Sequence, residues 1–431
     1  MADSRSRPCL FESLPTELLL QILSRLPDLT SLDSVLHASP TTYRNFDEYA
    51  VEITETILAC DYNLVVSYHR HPCRTDEVHH GPHPIESGVT CAYVRVMFNM
   101  MAAIRSSRFP IHSLSEFCQE VVDPFWWKTT RCGRSTLGYF MPESLPKDTP
   151  PKVVRSLIAT YRRLTWLSLD CLKLYMARFE SFCPSRPAIG KKAFGKGRRA
   201  GTIQNNAEGL DQVPGQPVVT RSGGPPSWVE EQRATRAFWR LQFMYDMRRA
   251  ARGSLLPTWP AEDVEQLRNC NQTQLLSLYS PVYDRGLRPE HEEIYSAAEY
   301  MQTAHGGRWP DEVVPASGSR SSLLQVSRGE LGWPLPCHER RGDKKLAMPS
   351  PAVRLWPNLN RHLLWWDFTQ GLRLGFAFWS DERLRARGLM GQPEALGEWA
   401  QFKYAYAWHS LAKAYQALDG EVSSCWFSRI M

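Results

Sequence analysis

Pro15, Pro27 and Pro40 limit the N-terminal part of this chain more than any other residues, because a helix cannot run through an interior proline. They cut a leucine-rich stretch into short pieces. Thr16–Leu26 carries Leu18, Leu19, Ile22, Leu23 and Leu26, the spacing of one buried helical face. Pro15 suits the first helical position, where a missing N–H has no consequence. A second short helix is predicted from Leu29 to about His37. A third opens at Ser39-Pro40, an N-cap followed by proline in the first turn, and continues toward Cys60. Three helices of about forty residues are too few to bury all this Leu and Ile among themselves. The surplus must meet the rest of the chain or a partner, as amphipathic helices meet grooves. The simplest alternative is that these are the first helices of a larger globular core.

The remainder also reads as helical. Val89–Arg105 is apolar enough for a buried helix. Ser113-Leu-Ser-Glu116 and Ser227-Trp-Val-Glu230 have the form of capping boxes, the first opening a helix to about Val122 and the second one that ends near Gly253. Between them, Thr149-Pro150 starts a long pattern through Leu157, Tyr161, Leu164, Leu172, Met176 and Phe179. Shorter helices are predicted at Ala261–Arg268, Thr273–Leu278 and Pro289–His305. A further one spans Glu394–Leu418, with Trp399 and Trp408 on its apolar face.

Charge and composition narrow the function. The net charge is +6 over 431 residues, so the chain as a whole does not read as a nucleic-acid binder. Most of the excess lies between Pro184 and Pro226, where seven Lys/Arg face Glu208 and Asp211. With six Pro and eight Gly, that segment predicts a disordered basic linker. Gly195-Lys-Gly-Arg-Arg-Ala200 within it lacks the Lys-Ser/Thr of a phosphate loop, and import into the nucleus is an alternative use of its charge. The eleven Cys form no C-x-x-C pair, which argues against a zinc finger or a disulfide framework. No apolar run of signal-peptide or membrane-spanning length is visible. The expectation is an intracellular protein of cytoplasm or nucleus, with no membrane partner and no cofactor.

The N-terminal residues also carry a resemblance. Phe11-Glu-Ser-Leu-Pro-Thr-Glu-Leu-Leu-Leu-Gln-Ile-Leu-Ser-Arg-Leu-Pro-Asp-Leu29 is followed by Leu32, Val35 and Ser39-Pro40-x-x-Tyr43-Arg44-x-Phe46. This resembles the F-box, with the Leu-Pro-x-Glu-(apolar)₃-x-Ile-Leu-x-x-Leu core present without gaps. Tyr43 and Phe46 stand near the place where many F-boxes carry Trp. The resemblance implies docking on the Skp-type adaptor of an SCF ubiquitin ligase, and through it on a cullin. An as yet unknown protein substrate would be presented by the rest of the chain. On that basis Leu14, Pro15, Leu18, Leu19, Ile22, Leu26, Leu29, Leu32 and Val35 are the expected docking surface and its support. Gly375-Phe-Ala-Phe-Trp-Ser-Asp-Glu-Arg-Leu384, with Gly388 after it, is similar to a block found late in filamentous-fungal F-box proteins.

Other constellations are weaker. His69, His71, Cys73, His79, His80, His83 and Cys91 crowd together, but only His79-x₃-His83 has a zinc-ligand spacing and nothing completes it. Ser135 sits in a Gly-Arg-Ser-Thr-Leu-Gly sequence one residue too long for a nucleophile elbow. Trp126, Trp127, Trp365, Trp366 and Trp379 are core residues or substrate anchors.

The expected fold is thus mostly α. An F-box over 11–60 precedes an irregular helical domain with disordered insertions: helical over 61–183, linker over 184–226, helical over 227–305, mostly irregular over 306–351, and aromatic-rich helical over 352–431. The expected role is a non-catalytic substrate-recognition subunit. Two alternatives stay open: an F-box protein acting outside ubiquitylation, and an enzyme whose site no motif reveals.

Overall fold

The computed structural model describes residues 14–68, 89–118, 144–192, 213–271, 274–276, 289–310, 350, 352, 371, 373–391 and 398–419. Of these residues 69% are helical. The chain divides into two compact units, and the division falls inside two of its long helices. The first unit holds Met1–Leu167, Phe238–Leu275 and Trp309–Glu312; the second holds Ser168–Ala237, Leu276–Arg308 and Val313–Met431.

In the first unit α1 (Thr16–Ser24), α2 (Leu29–Ala38) and α3 (Pro40–Tyr68) follow the proline punctuation. Pro15 stands one residue earlier than expected, at the N-cap of α1, where its carbonyl accepts from Leu18 and Leu19 N–H. Asp28 caps α2 by accepting from Ser31 N–H at 2.6 Å, and Ser39 caps α3 through Thr42 N–H. Helix α3 extends past Cys60 and is kinked at Tyr49, whose φ of −120° and ψ of 26° are not helical. Both α1 and α2 pack on α3, and α3 packs on α4 (Val89–Arg105).

The rest of the unit is fastened around these helices by ion pairs and hydrogen bonds. Arg155 and Arg162 stand two turns apart on one face of α6 (Pro151–Ser181). They pair with Asp47 of α3 and Asp33 of α2, and the Arg155 guanidinium also lies 4.5 Å from the Tyr43 ring centroid. Arg105 at the end of α4 forks onto Asp246 of α7 (Trp228–Arg252) and onto Ser156 and Thr160 of α6. The short α5 (Leu114–Phe117) is capped by Ser113 and leaves its own loop anchored to Asp263 of α8 (Ala261–Asn269) through Leu114 N–H. Around it Phe109, Phe117, Phe243 and Trp259 form one aromatic cluster.

The second unit contains the C-terminal part of α6, the first part of α7, α9 (Pro289–His305), α10 (Asp381–Ala386) and α11 (Glu398–Asp419). Here the structure corrects the sequence. Residues 184–226 are not a uniformly disordered linker, because both flanks are ordered while 193–212 lie outside the described residues. Strand β1 (Ser185–Pro187) pairs antiparallel with β2 (Gly215–Pro217), bringing Arg186 opposite Gln216. Ala188 N–H donates to Pro214 C=O at 2.8 Å and Val218 N–H to Pro184 C=O at 2.9 Å. The prolines sit where no donor is needed, Val213 and Val218 are buried, and the Tyr406 hydroxyl donates to Val213 C=O at 2.7 Å. A mean composition over the whole segment hides these few anchored residues, whose partners lie on α11 far along the chain.

Of the predicted irregular stretch 306–351, only 306–310 and 350 are described. Gly306 and Gly307, with φ of +62° and +74°, end α9 in a conformation that favours glycine. The last helix is described over Glu398–Asp419, and residues 394–397 of the expected span lie outside the described residues. No described helix is long and apolar enough to cross a membrane.

Deleting 184–226 should therefore lower the melting temperature by about 5 °C or more, since it removes the ribbon and two buried valines. An unchanged melting curve by circular dichroism would show that the ribbon contributes nothing to the unit.

Candidate functional site

Helix α1 has room for two apolar ridges. Leu19 and Leu23, one turn apart, are fully buried toward the interior. Leu18 and Ile22 form the neighbouring ridge and remain 46% and 37% exposed, while Tyr43 at the start of α3 is 40% exposed. Among the described residues only one other large apolar side chain, Val219, is comparably open. Three of the four thus belong to one small module. Exposed Glu17, Gln21 and Arg25 stand beside the α1 ridge, giving the apolar centre a polar rim of the kind protein interfaces use.

The expected docking residues fall into two groups. Pro15, Leu18 and Ile22 are exposed, and Leu14, Leu26 and Val35 are half-buried. Leu19, Leu29 and Leu32 are buried and support the surface from inside. Tyr43 was not among the expected docking residues, although its place near the start of the third helix was the available signal. Its ring is held by Arg155, whose guanidinium covers one face.

The C-terminal block Gly375–Leu384 is a structural clasp in the second unit. Glu230 is fully buried and accepts four hydrogen bonds: from Ser380 N–H and Arg383 Nε on one oxygen, and from Ser227 N–H and Arg383 Nη2 on the other, at 2.8–3.0 Å. One carboxylate therefore caps two helices, since Ser227 precedes α7 and Ser380 caps α10 through Arg383 N–H. Arg383 also donates to the carbonyls of Gly224 and Pro225. One turn later, Arg387 donates to the carbonyls of Phe179 and Phe182 at the end of α6 and to Thr220 Oγ1, satisfying acceptors that a helix C-terminus leaves open. Gly375, at φ +73°, is required because a Cβ there would lie 2.8 Å from Trp379 and 2.9 Å from Tyr175.

Trp379 and Trp408 are fully buried, with their indole N–H groups donating to Leu374 and Leu389 carbonyls. Trp399 is half-buried and stacks on Phe402. Trp126, Trp127, Trp365 and Trp366 lie outside the described residues, as do Ser135, the stretch 195–200 and His69, His71, Cys73, His79, His80 and His83.

A buried titratable network that the sequence did not reveal joins α6 to α9. Tyr175 donates to Glu299 at 2.5 Å, and Tyr300 donates to Asp170 at 2.6 Å while meeting His305 Nε2 at 2.9 Å. Burial, then the Glu299 charge, pushes the Tyr175 hydroxyl well up. Burial and the Asp170 charge do the same to Tyr300, and burial lowers His305 although Asp170 opposes it. Both phenols are therefore neutral donors at pH 7, in a role that holds two helices together. Among the described residues no group of three or more His, Cys, Asp or Glu is placed to hold a metal ion. No protein-family model, curated protein or solved structure matches this chain.

Glu230→Ala should cost about 3–5 kcal/mol, because it strands a buried Arg383. The double variant E230A/R383M should cost less than the sum of the single changes. Strict additivity in denaturant unfolding would contradict a direct coupling between the two.

Proposed function

We propose that residues 11–47 form an F-box that docks on a Skp-type adaptor, and that this chain is the substrate-recognition subunit of an SCF-type ubiquitin ligase. What carries this is the outward ridge of α1. Leu18 and Ile22 are exposed at positions the F-box resemblance assigns to the docking surface, with Tyr43 exposed in the same module. A single α1 with two apolar ridges cannot bury both against α3. The second is an energetic liability in water at ~25 cal/mol per Å² of apolar surface and suits a partner's groove.

On this proposal the catalytic chemistry belongs to other subunits of the ligase, and substrate contacts fall to the chain beyond residue 88. Trp399, the half-buried one of the described C-terminal tryptophans, is a candidate anchor there, since aromatic residues dominate interface energetics. Buried Trp379 and Trp408 are assigned to the core.

Two classes of substitution separate docking from folding. Leu18→Ala with Ile22→Ala, in the full chain, should abolish recovery of a Skp-type adaptor and cullin while leaving the melting temperature unchanged. Each truncated anchor is worth ~2 kcal/mol at an interface hot spot. Leu32→Ala, in the interior, should destabilise the fold by ~2–5 kcal/mol and lose the adaptor only as the chain unfolds. If the wild-type chain recovers no adaptor, or the Leu18/Ile22 variant recovers it undiminished, the proposal fails. Adaptor binding without any effect on ubiquitylation of bound proteins would place the chain among F-box proteins that act outside ubiquitin transfer.

A further inference from the structure

The proposed docking surface lies on α1 and α3, yet one of the groups that shapes it comes from α6. Tyr43 and Asp47 stand four residues apart on α3, so they lie one above the other on the same face. Arg155 of α6 meets both. Its Cζ atom lies 4.5 Å from the Tyr43 ring centroid, and its Nη1 pairs with the Asp47 carboxylate. A planar guanidinium can make both contacts at once, because its face stacks on the ring while its edge meets the carboxylate.

The backbone on both sides of this contact is fixed from within. Val153, Val154, Leu157 and Ile158 of α6 are buried, as are Thr42 and Phe46 of α3. Arg155 emerges at the rim of that packing: its side chain is 24% exposed and that of Asp47 38%. The pair two turns on is different in kind. Arg162 reaches Asp33, whose side chain is only 7% exposed, and that pair fastens α2 in the interior. The Arg155–Asp47 pair is too open to water to add much stability, but it keeps a guanidinium against an exposed aromatic ring. An exposed tyrosine without such a neighbour samples several rotamers, and a ring that must be ordered on docking costs affinity.

We infer, on the strength of the adaptor-docking reading, that Arg155 is a positioning residue of the docking surface: it holds the Tyr43 ring in the orientation in which a Skp-type adaptor meets it. The surface is thus completed by a residue well outside residues 11–47. That short segment alone carries Leu18, Ile22 and Tyr43 without the group that orders the ring.

The test is calorimetric titration of purified Skp-type adaptor into the full chain, with the melting temperature of each variant measured alongside. Arg155→Gln should weaken adaptor binding about three- to tenfold, the cost of ordering one free side chain, at an almost unchanged melting temperature. In a Tyr43→Ala background the same change should cause no further loss, because Arg155 acts through the ring. Should Arg155→Gln melt early, Arg155→Lys takes its place. It keeps a charge for Asp47 but lacks the planar fork that also stacks, and it should weaken binding in the same Tyr43-dependent way. Wild-type affinity in a folded Arg155 variant, or an equal loss with and without the Tyr43 ring, overturns the inference and leaves the docking proposal standing. A wild-type chain that binds no adaptor overturns both.

Discussion

A single carboxylate organises the second unit. Glu230 accepts from two backbone N–H groups at the starts of α7 and α10 and from the Arg383 fork, with no exposure to water. Arg383 then closes the Gly224–Pro225 turn, and Arg387 one turn on closes the end of α6. Three helix termini are satisfied by one short block of sequence. Such networks hold only when every member is paired, because a half-satisfied buried charge costs more than an apolar replacement. The aromatic residues packed around it, Phe179 stacked on Trp379 and Phe376 edge-on to Trp408, supply the apolar burial; the clasp fixes which elements that burial brings together.

The first unit is governed by a different constraint. Helix α1 is only nine residues long and carries five apolar side chains, yet only one ridge of it meets α3. The residues that stay out, Leu18 and Ile22, are those for which the F-box resemblance implies a partner. Asp33 and Asp47 are held from α6 by Arg162 and Arg155, so the three-helix module is built into its unit rather than appended to it. That attachment gives the proposed docking surface a fixed backbone, which lowers the ordering entropy lost on binding.

Helix positions were legible wherever the local code was complete. Ser39-Pro40, Ser113-x-x-Glu116 and Ser227-x-x-Glu230 each opened a helix where their capping chemistry placed it, and Val89–Arg105 and Pro289–His305 ended as the periodicity predicted. What stayed hidden depends on partners distant in sequence. Glu230 is visible as a capping residue, but nothing local tells that Arg383, 153 positions away, completes it. The ordered flanks of 184–226 were missed for the same reason: Val213 and Val218 are too few to signal order until Tyr406 and Ser410 are known to bind the ribbon at Val213 and Ser185. At the candidate site, periodicity marked Leu18, Leu19, Ile22, Leu23 and Leu26 alike as one buried face, and the resemblance added Leu29, Leu32 and Val35. Only the packing of α1 and α2 on α3 sorted them into outward and inward residues and brought Tyr43 into the outward group.

The central claim is that the outward ridge of α1 is a docking surface for a Skp-type adaptor. Hydrogen–deuterium exchange of the full chain, with and without purified adaptor, tests it most directly. The account predicts added protection across residues 14–26 and at the start of α3 near Tyr43, with exchange in α7, α9 and α11 unchanged. Unaltered exchange across α1 at saturating adaptor, or protection confined to the second unit, would contradict it.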